Sequence, residues 1–324
     1  MKFLSTSDVS KVLKSSPEIV RPSVIDTYTS LELGKSTSSP TTFLPIPNEA
    51  PSRFITLPAY AAGSGSDGAA GTKWVSNFRG NVALEENPLN TLLLLSDIGT
   101  GVPLACIEGS ELNLRRTAAS AFLAAECFGY HPQDGQIGII GAGALADAFA
   151  AELAQTYDGK HSLLVSDIVE ERAQRLVKSL VDLGFEASVA STEDILRQAR
   201  IIILATSAEG PWIDTDLLPT DDRMILHISA DDLPVEYFSQ VTNVTDRISD
   251  VAKLPVSLGK AIIEGLNTED IYELPALLGK DVVKSSGPVV YSPFGLSVLD
   301  IALAKKIYGL AETHDLGVAW NHRG

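Results

Sequence analysis

The sequence predicts an α/β protein in which a doubly wound, parallel-sheet domain follows a separate α+β domain. Three observations lead to this prediction. From residue 136, a short apolar run, a cluster of glycines and an alanine-rich helical segment follow one another. A second apolar run and an amphipathic charged segment come next, which completes a β-α-β unit. Later apolar runs separated by turn-like sequence add further strands to the same sheet.

The first part of the chain is less regular. Residues 36–52 are rich in Ser, Thr and Pro, and residues 61–71 are a small-residue stretch, AAGSGSDGAAG; both are predicted to be loops. Strand-like segments at residues 54–57 and 92–95 flank the second loop. These loops therefore belong to a folded unit.

The middle of the chain contains the clearest elements. Residues 137–140 are predicted as a buried parallel strand, and residues 144–156 have helical spacing. Residues 162–166 are predicted as the second strand, and residues 201–205 and 224–229 as later strands of the same sheet. This succession is typical of a doubly wound sheet.

The last apolar segment, residues 294–309, is helix-periodic and is expected to return to the first domain. We therefore predict a first domain at residues 1–118, the doubly wound domain at 119–295 and a helical C-terminal segment at 296–324. The two cysteines, Cys106 and Cys127, fit buried reduced thiols better than a disulfide framework or a zinc site, and we expect no metal.

Composition restricts the possible functions. The 324 residues are 45% hydrophobic and 20% charged, which suits a globular protein with a sizeable core. A net charge of -16 would repel nucleic acid or an anionic membrane surface unless a basic patch opposed it, and the sequence has no such Lys/Arg run. The start of the chain turns polar after Leu4, too early for a secretion signal. We expect a cytoplasmic protein without nucleic-acid or membrane partners.

The glycines predict a dinucleotide site. Gly141, Gly143 and Ala146 form a G-x-G-x-x-A pattern between a predicted strand and a predicted helix. The first glycine permits the tight turn, the second lets the backbone approach a pyrophosphate, and the alanine allows close helix packing. The predicted cofactor contacts in this turn are Gly141, Ala142, Gly143, Ala144 and Leu145.

An acidic residue indicates which dinucleotide binds. Asp167 ends the second predicted strand, where a carboxylate accepts hydrogen bonds from the adenine ribose. A carboxylate there repels the extra phosphate of NADP, so the sequence favours NAD. Arg172 and Arg175 on the next helix are an alternative binding place for that phosphate, but a solvated helix face explains them better.

Three blocks ahead of the glycines resemble the ornithine cyclodeaminase and mu-crystallin family. They are the G-x-K block at 71–73, the TG-x-P-x-A turn at 100–105 and the RTAA block at 116–119. The resemblance continues through HISADDLPVEYF and FGLSVLDIALA and covers residues 54–309 approximately. Within the family, GTKWVSNF and ACIEGSELNLRRTAAS are most similar to the branch of the N-(2-amino-2-carboxyethyl)-glutamate dehydrogenases, which release 2,3-diaminopropionate.

The resemblance implies a Rossmann-type NAD domain, a substrate-binding first domain through which a homodimer forms, and an amino-acid substrate. It implies that Arg116 binds the substrate carboxylate through a bidentate contact, with Arg115 as the alternative residue. Lys73 supplies a second positive charge or, if its pKa is lowered, accepts the amine proton.

The family also implies an acid-base carboxylate in a D-x-P setting. Asp232 matches it, with Asp231 as the alternative register, and its task would be to activate water or transfer protons at the imine carbon. His227 is better explained as a buried structural histidine than as a proton carrier. The further predicted cofactor contacts are Thr206, Ser207, Ser229 and Gly295.

The chain departs from the family in one stretch. Many members have a basic carboxylate-binding residue where this chain has SPTTFLP at 39–45, in which Thr41 and Thr42 are the polar candidates. A threonine cannot replace a guanidinium charge, so either Arg53 takes that role or the substrate differs from that of the cyclodeaminases.

The resulting hypothesis is an NAD-dependent oxidoreductase that takes hydride from the alpha carbon of an amino acid or N-linked amino-acid conjugate. Hydrolysis of the imine would give an amine and a 2-keto acid. Two alternatives stay open: an ornithine or lysine cyclodeaminase that recycles NAD in place, and a non-catalytic, mu-crystallin-like protein that binds a nucleotide and a small ligand.

Overall fold

The structure is a computed structural model that describes residues 1–47, 52–63, 68–78, 89–157 and 161–320. The chain divides into two compact units. Unit 1 comprises Met1–Thr117 and Gly295–Gly324, and unit 2 comprises Ala118–Phe294. Each unit contains one large sheet, and the predicted α/β fold class is confirmed.

Strands and α-helices are numbered along the chain. The strands are β1 (Lys2–Leu4), β2 (Thr37–Ser38), β3 (Thr42–Pro45), β4 (Arg53–Ala61), β5 (Ala69–Asn77), β6 (Leu89–Ser96), β7 (Pro103–Glu108), β8 (Ile137–Ile140), β9 (Ser162–Ser166), β10 (Glu186–Val189), β11 (Ile201–Leu204), β12 (Met224–His227), β13 (Thr242–Thr245), β14 (Ile271–Glu273), β15 (Val289–Tyr291) and β16 (Val318–Ala319). The helices are α1 (Thr6–Ser15), α2 (Val20–Glu32), α3 (Ser110–Cys127), α4 (Ala144–Thr156), α5 (Glu170–Asp182), α6 (Thr192–Gln198), α7 (Ile248–Val251), α8 (Ser257–Ile263), α9 (Leu274–Leu277) and α10 (Ser297–Thr313).

Unit 2 is built on a parallel sheet with the strand order β10-β9-β8-β11-β12-β15-β13-β14. β8 has β9 on one side and β11 on the other, so the direction of winding reverses between β8 and β11. In open parallel sheets, ligands bind beyond the carboxyl ends of the strands at such a reversal. Gly141, the residue after β8, therefore lies where a ligand is expected.

The central strands of unit 2 are buried because their sequences are apolar apart from His227 at the end of β12. β8, β11 and β12 have the sequences IGII, IIIL and MILH, and every residue in them is buried. Gly138 in β8 allows α6 to pack closely, since a Cβ there would lie 2.2 Å from the Ile195 side chain. Local sequence and helix packing thus fix the middle of this sheet.

Unit 1 is built on a mainly antiparallel sheet with the order β16-β1-β7-β6-β5-β4-β2, and β3 also pairs with β4. Side chains alternate between its two faces. Leu57, Val75 and Leu93 lie on the buried face, on which α10 packs. Trp74 and Leu92 lie on the other face and are 41% and 47% exposed.

Most predicted elements are found near their predicted positions. Strands β8 and β9 and helix α4 have the predicted bounds, and α10 begins three residues later than predicted and extends to Thr313. The prediction that residues 36–52 form only loop was wrong, because β2 and β3 in this stretch pair with β4; residues 48–51 lie outside the described residues. Of the small-residue loop predicted at 61–71, residues 61 and 69–71 belong to the ends of β4 and β5, residues 62, 63 and 68 lie outside the strands, and residues 64–67 lie outside the described residues.

Two smaller findings concern thiols and membranes. Cys106 and Cys127, predicted to be buried, are half-buried. Among the helices in the described ranges, none combines the length and apolar character needed to cross a bilayer.

Candidate functional site

The glycine-rich turn of unit 2 begins at Gly141. Its φ of 97° lies in the left-handed region, where a Cβ is unfavourable. A Cβ there would also lie 2.5 Å from the carbonyl oxygen of Ala205. The Gly141 amide donates to the Ser166 carbonyl at 2.8 Å, which ties the turn to the end of β9. The turn therefore requires glycine at this position.

Gly143 precedes α4 and has a different environment. A Cβ built on it meets nothing within 4 Å, and its φ of -86° is available to any residue. Within the described part of the chain, no side chain caps the N-terminus of α4. The first amides of a helix carry partial positive charge and need acceptors, so this end of α4 suits an anionic group. Open space above Gly143 leaves room for that group to reach the backbone.

Asp167 stabilises this turn. Its carboxylate accepts hydrogen bonds from the amide of Ala142 at 2.7 Å and from that of Val169 at 2.8 Å. Arg175, predicted to belong to a solvated helix face, is half-exposed and donates to the Ala142 carbonyl at 2.9 Å. The acid predicted to bind ribose thus lies beside the predicted pyrophosphate turn.

A second group of predicted residues meets at Asp232 in unit 2, which is fully buried. Its carboxylate accepts hydrogen bonds from the Thr206 and Ser229 hydroxyls and from the Trp212 indole nitrogen. Ala230, just before it, has a φ of 73°, a conformation unusual for alanine. The backbone is therefore strained at Ala230, two residues before this carboxylate.

Asp231 and Asp232, the two alternatives for the predicted acid, have different neighbours. Asp231 instead forms an ion pair with Lys260 at 3.2 Å. His227 is buried, and its Nε2 accepts a hydrogen bond from the Asp232 amide at 3.2 Å. Its Nδ1 lies 2.9 Å from the Ser292 hydroxyl, so both ring nitrogens have partners in the core, as expected of a structural histidine. Ser207 is exposed and lies outside this cluster.

The hydrogen bonds to Asp232 outweigh the effect of its burial. Burial by itself would raise the pKa of this carboxyl, but the groups around it, among them the donating Ser229 and Thr206 hydroxyls and the Trp212 indole nitrogen, lower the pKa to about 2. The group is therefore ionised throughout the neutral range.

This low pKa predicts a pH-dependent stability. The folded-state pKa of Asp232 lies below the ordinary value of 3.8, so its contribution is present above about pH 4 and is lost as the pH falls toward 2. We expect Asp232→Asn to remove about 2 kcal/mol of pH-dependent unfolding free energy at neutral pH. Denaturant unfolding of both proteins over this range would show the difference narrowing in acid. A difference that stays constant down to the lowest pH at which both fold would contradict it.

Unit 1 contains a buried cluster of cations. Lys73 on β5 and Arg116 on α3 are each only 6% exposed, and both contact Asp300 on α10, which is fully buried. Lys73 Nζ lies 2.7 Å from one carboxylate oxygen and Arg116 Nε lies 3.0 Å from the other. The structure thus brings together the two residues predicted to bind the substrate carboxylate.

Burial and charge act in opposite directions on the cluster. Burial lowers the pKa of Lys73 and the neighbouring Arg116 lowers it further, while Asp300 opposes both. Burial would raise the pKa of Asp300, but Arg116 and Lys73 hold it below its usual value. Asp300 is therefore ionised, and Lys73 gives up its proton more easily than an ordinary lysine.

Two other predicted residues also lie in unit 1. Arg53, at the start of β4, is on the same face of the sheet as Lys73, and its guanidinium lies 5.1 Å from the centre of the Phe43 ring. Gly295, predicted as a cofactor contact, packs against Arg116, since a Cβ on it would lie 3.0 Å from Nη2. Its φ of 91° and its lack of a side chain make room for the guanidinium.

Sequence reasoning missed three residues of these clusters: Asp300, Asn113 and Trp212. An acidic residue inside the apolar run LSVLDIALA was the signal for Asp300, because an acid is rarely buried without a partner. Asn113 and Trp212 carried no comparable local signal.

Comparison with known proteins gives a consistent result. The sequence model of the Ornithine cyclodeaminase/mu-crystallin family matches residues 2–249. N-((2S)-2-amino-2-carboxyethyl)-L-glutamate dehydrogenase of Staphylococcus aureus (strain NCTC 8325 / PS 47) is 24% identical over 281 residues, which cover 83% of this chain and 82% of that protein. A Delta(1)-pyrroline-2-carboxylate reductase of Bacillus cereus (strain ZK / E33L) is 28% identical over 85% of this chain and 86% of its own.

A solved structure has the same fold. An archaeal alanine dehydrogenase dimer with bound NAD superposes with a TM-score of 0.88 at 23% identity, over 99% of each chain.

Proposed function

The chain belongs to the ornithine cyclodeaminase/mu-crystallin family, and from that premise we propose that it is an NAD-dependent oxidoreductase acting on a carbon-nitrogen bond of an amino acid. The observation that carries the proposal is the glycine-rich turn of unit 2. Gly143 leaves open space beside the N-terminus of α4, and Asp167 holds the turn from the next strand. These features fit a dinucleotide, with the backbone of residues 141–145 on the pyrophosphate and Asp167 on the ribose.

The cation cluster of unit 1 supports an amino-acid substrate. Lys73 and Arg116 are two buried cations on different elements, and each takes only one oxygen of Asp300. Buried cations of this kind bind a carboxylate strongly, because little water competes for them. We assign the substrate carboxylate to this pair, which orients the alpha carbon.

The reaction follows from these assignments. The dinucleotide that residues 141–145 and Asp167 would hold would supply a hydride acceptor for the alpha carbon. Loss of that hydride, with loss of a proton from the amine, would leave a carbon-nitrogen double bond in the substrate. Water then adds to that carbon, the carbon-nitrogen bond breaks, and a 2-keto acid and an amine are released. The protein contributes the orientation of the substrate and fixed charges near the reacting groups.

We give Asp232 a role different from proton transfer. A carboxyl with a pKa of about 2 is a weak base at neutral pH, and three side chains already donate hydrogen bonds to it. It is better suited to remain ionised and to stabilise the positive charge that develops on the substrate nitrogen. Thr206 and Ser229, which it orients, are the proposed cofactor contacts.

Arg53 is the proposed contact for a second anionic group. Its Nε is buried, and among the described residues none accepts a hydrogen bond from it. It lies along β4 on the same face as Lys73, so a substrate with two separated carboxylates could use both. This favours N-linked conjugates of two amino acids over diamines such as ornithine.

The test is to incubate the purified protein with NAD and a panel of amino acids, diamines and N-linked conjugates. NADH absorbance and product masses are followed together. NADH formation with a 2-keto acid supports the proposal. A product mass without net NADH indicates a cyclodeaminase, and tight NADH binding without turnover of any compound contradicts the enzymatic proposal in favour of a binding protein.

We also propose that the protein forms a homodimer through the outer face of the unit 1 sheet. Trp74 and Leu92 are register partners there, and Leu94 lies beside them on the same face, 39% exposed. Phe54 stacks on Trp74 with 5.2 Å between ring centres. A continuous apolar patch of this kind on a folded unit marks an interaction surface.

Leu92→Glu is expected to convert the dimer to monomer, because it buries a charge at the centre of the patch. Light scattering after size-exclusion chromatography measures the mass directly. Leu183→Glu is the matched control, since Leu183 is 48% exposed on unit 2. A dimer that survives Leu92→Glu would contradict this interface.

A further inference from the structure

Four side chains of unit 1 form a closed ring of hydrogen bonds. Asp300 joins Lys73 to Arg116 from one side, as described above. From the other side, the Asn113 side-chain oxygen accepts from Lys73 Nζ at 2.9 Å and from Arg116 Nη2 at 2.6 Å. Each cation therefore touches the same two oxygen-bearing side chains, and the ring links β5, α3 and α10.

We propose that Asp300 is the positioning residue of this anchor, and that it keeps Lys73 cationic beside Arg116 so that both can hold a substrate carboxylate. The inference rests on the proposed function and decides between the two roles predicted for Lys73. Lys73 is then a charged binding group and not the acceptor of the amine proton.

The surroundings of Lys73 explain why a counter-ion is needed. The charged groups acting on it are Arg116 from α3 and Asp300 from α10. The neighbouring strands place Leu57 of β4 and Leu93 of β6 opposite it, and both are buried apolar residues. Burial and a like charge both favour the neutral amine, so Asp300 is what opposes loss of the proton.

The geometry gives Asp300 a directional task as well. Its two oxygens contact different cations, so it holds Lys73 and Arg116 side by side at fixed positions. Asn113 makes the matching contacts without charge. A neutral residue at 113 and a charged residue at 300 thus orient both cations while cancelling only part of their charge.

The experiment measures the titration of Lys73 directly and needs no substrate. The full-length protein is labelled at the ε carbon of lysine, its spectrum is followed by NMR against pH, and Lys73→Arg identifies the Lys73 signal. Two variants change the negative charge of the ring in opposite directions. Asp300→Asn removes the negative charge of Asp300, and Asn113→Asp adds a negative charge at position 113. Circular dichroism and thermal unfolding identify the folded variants.

We expect Asp300→Asn to lower the titration midpoint of Lys73 by about 1 pH unit or more, and Asn113→Asp to raise it by a similar amount. A residue with a merely structural role would change stability but not move the two midpoints in opposite directions. If Asp300→Asn does not fold, the shift of the Lys73 titration midpoint in Asn113→Asp tests the inference by itself. A midpoint that is unchanged in the folded variants, or that rises in Asp300→Asn, would overturn the inference.

A kinetic measurement on any compound turned over in the panel separates the two roles of Lys73. If Lys73 acts as a cation, kcat/KM falls as pH rises through its pKa, and Asp300→Asn moves that fall to lower pH. If Lys73 were the base, kcat/KM would rise with pH and the same variant would extend activity into acid. Absence of NADH binding would contradict the proposed function but leave the NMR result standing.

Discussion

Gly143→Ala is expected to weaken NADH binding about 100-fold while leaving the fold unchanged. The added methyl would occupy the open space beside the N-terminus of α4, where we place the pyrophosphate. Two charge-assisted hydrogen bonds lost there correspond to about 3 kcal/mol. The backbone at this residue is in an ordinary conformation and the new Cβ meets no atom, so the thermal midpoint should not change.

The matched variant is Gly141→Ala. Its Cβ would collide with the Ala205 carbonyl, and the left-handed backbone adds about 1 to 2 kcal/mol. We expect this variant to unfold at a lower temperature and to lose NADH binding as well. Fluorescence titration with NADH measures the affinity of both variants, and thermal unfolding measures their stability. Wild-type NADH affinity in Gly143→Ala would show that the dinucleotide does not approach this turn.

Arg116→Lys is expected to lower kcat/KM on the active compound by about 100-fold or more. A lysine keeps the charge but cannot maintain both the Nε contact to Asp300 and the Nη2 contact to Asn113. Loss of a buried, charge-paired contact costs about 2 to 5 kcal/mol. NADH affinity should change little, because the contacts proposed for the pyrophosphate and the ribose, residues 141–145 and Asp167, lie in unit 2.

Arg115→Lys is the control for this prediction. Arg115 is the alternative arginine that the sequence leaves open, and of these two arginines it is Arg116 whose contact to Asp300 the structure describes. Activity should therefore survive in Arg115→Lys. Loss of activity in Arg115→Lys, with Arg116→Lys retaining it, would transfer the carboxylate contact to Arg115.

The parts of the structure that the sequence predicts well depend on local rules. The apolar run of β8, the two glycines and the alanine-rich α4 are adjacent in sequence, and each has one structural explanation. The N-terminal helix α1 also carries a local signal, a capping box between Ser5 and Asp8, which the prediction did not use.

The buried clusters were predictable only in part. Lys73 and Arg116 were proposed from family blocks, but Asp300 comes to them from a distant helix, and no local pattern encodes that contact. Trp212 likewise reaches Asp232 across a loop. Such contacts depend on how helices and loops pack on a sheet, so periodicity and propensity do not specify them.

The charge state of Asp232 also depends on contacts that sequence patterns do not specify. The D-x-P setting suggested a group that exchanges protons. The structure surrounds the carboxylate with donors from several separate positions and lowers its pKa to about 2. A sequence motif gives the position of an acid, whereas its chemistry is decided by the neighbours that folding provides.

The most direct test of the account is a crystal structure of the protein soaked with NAD. We expect electron density for the pyrophosphate over the backbone of residues 141–145, at the N-terminus of α4, with the adenine ribose on Asp167. Density for the dinucleotide elsewhere, or an unoccupied turn in a crystal that binds NAD, would contradict the central claim.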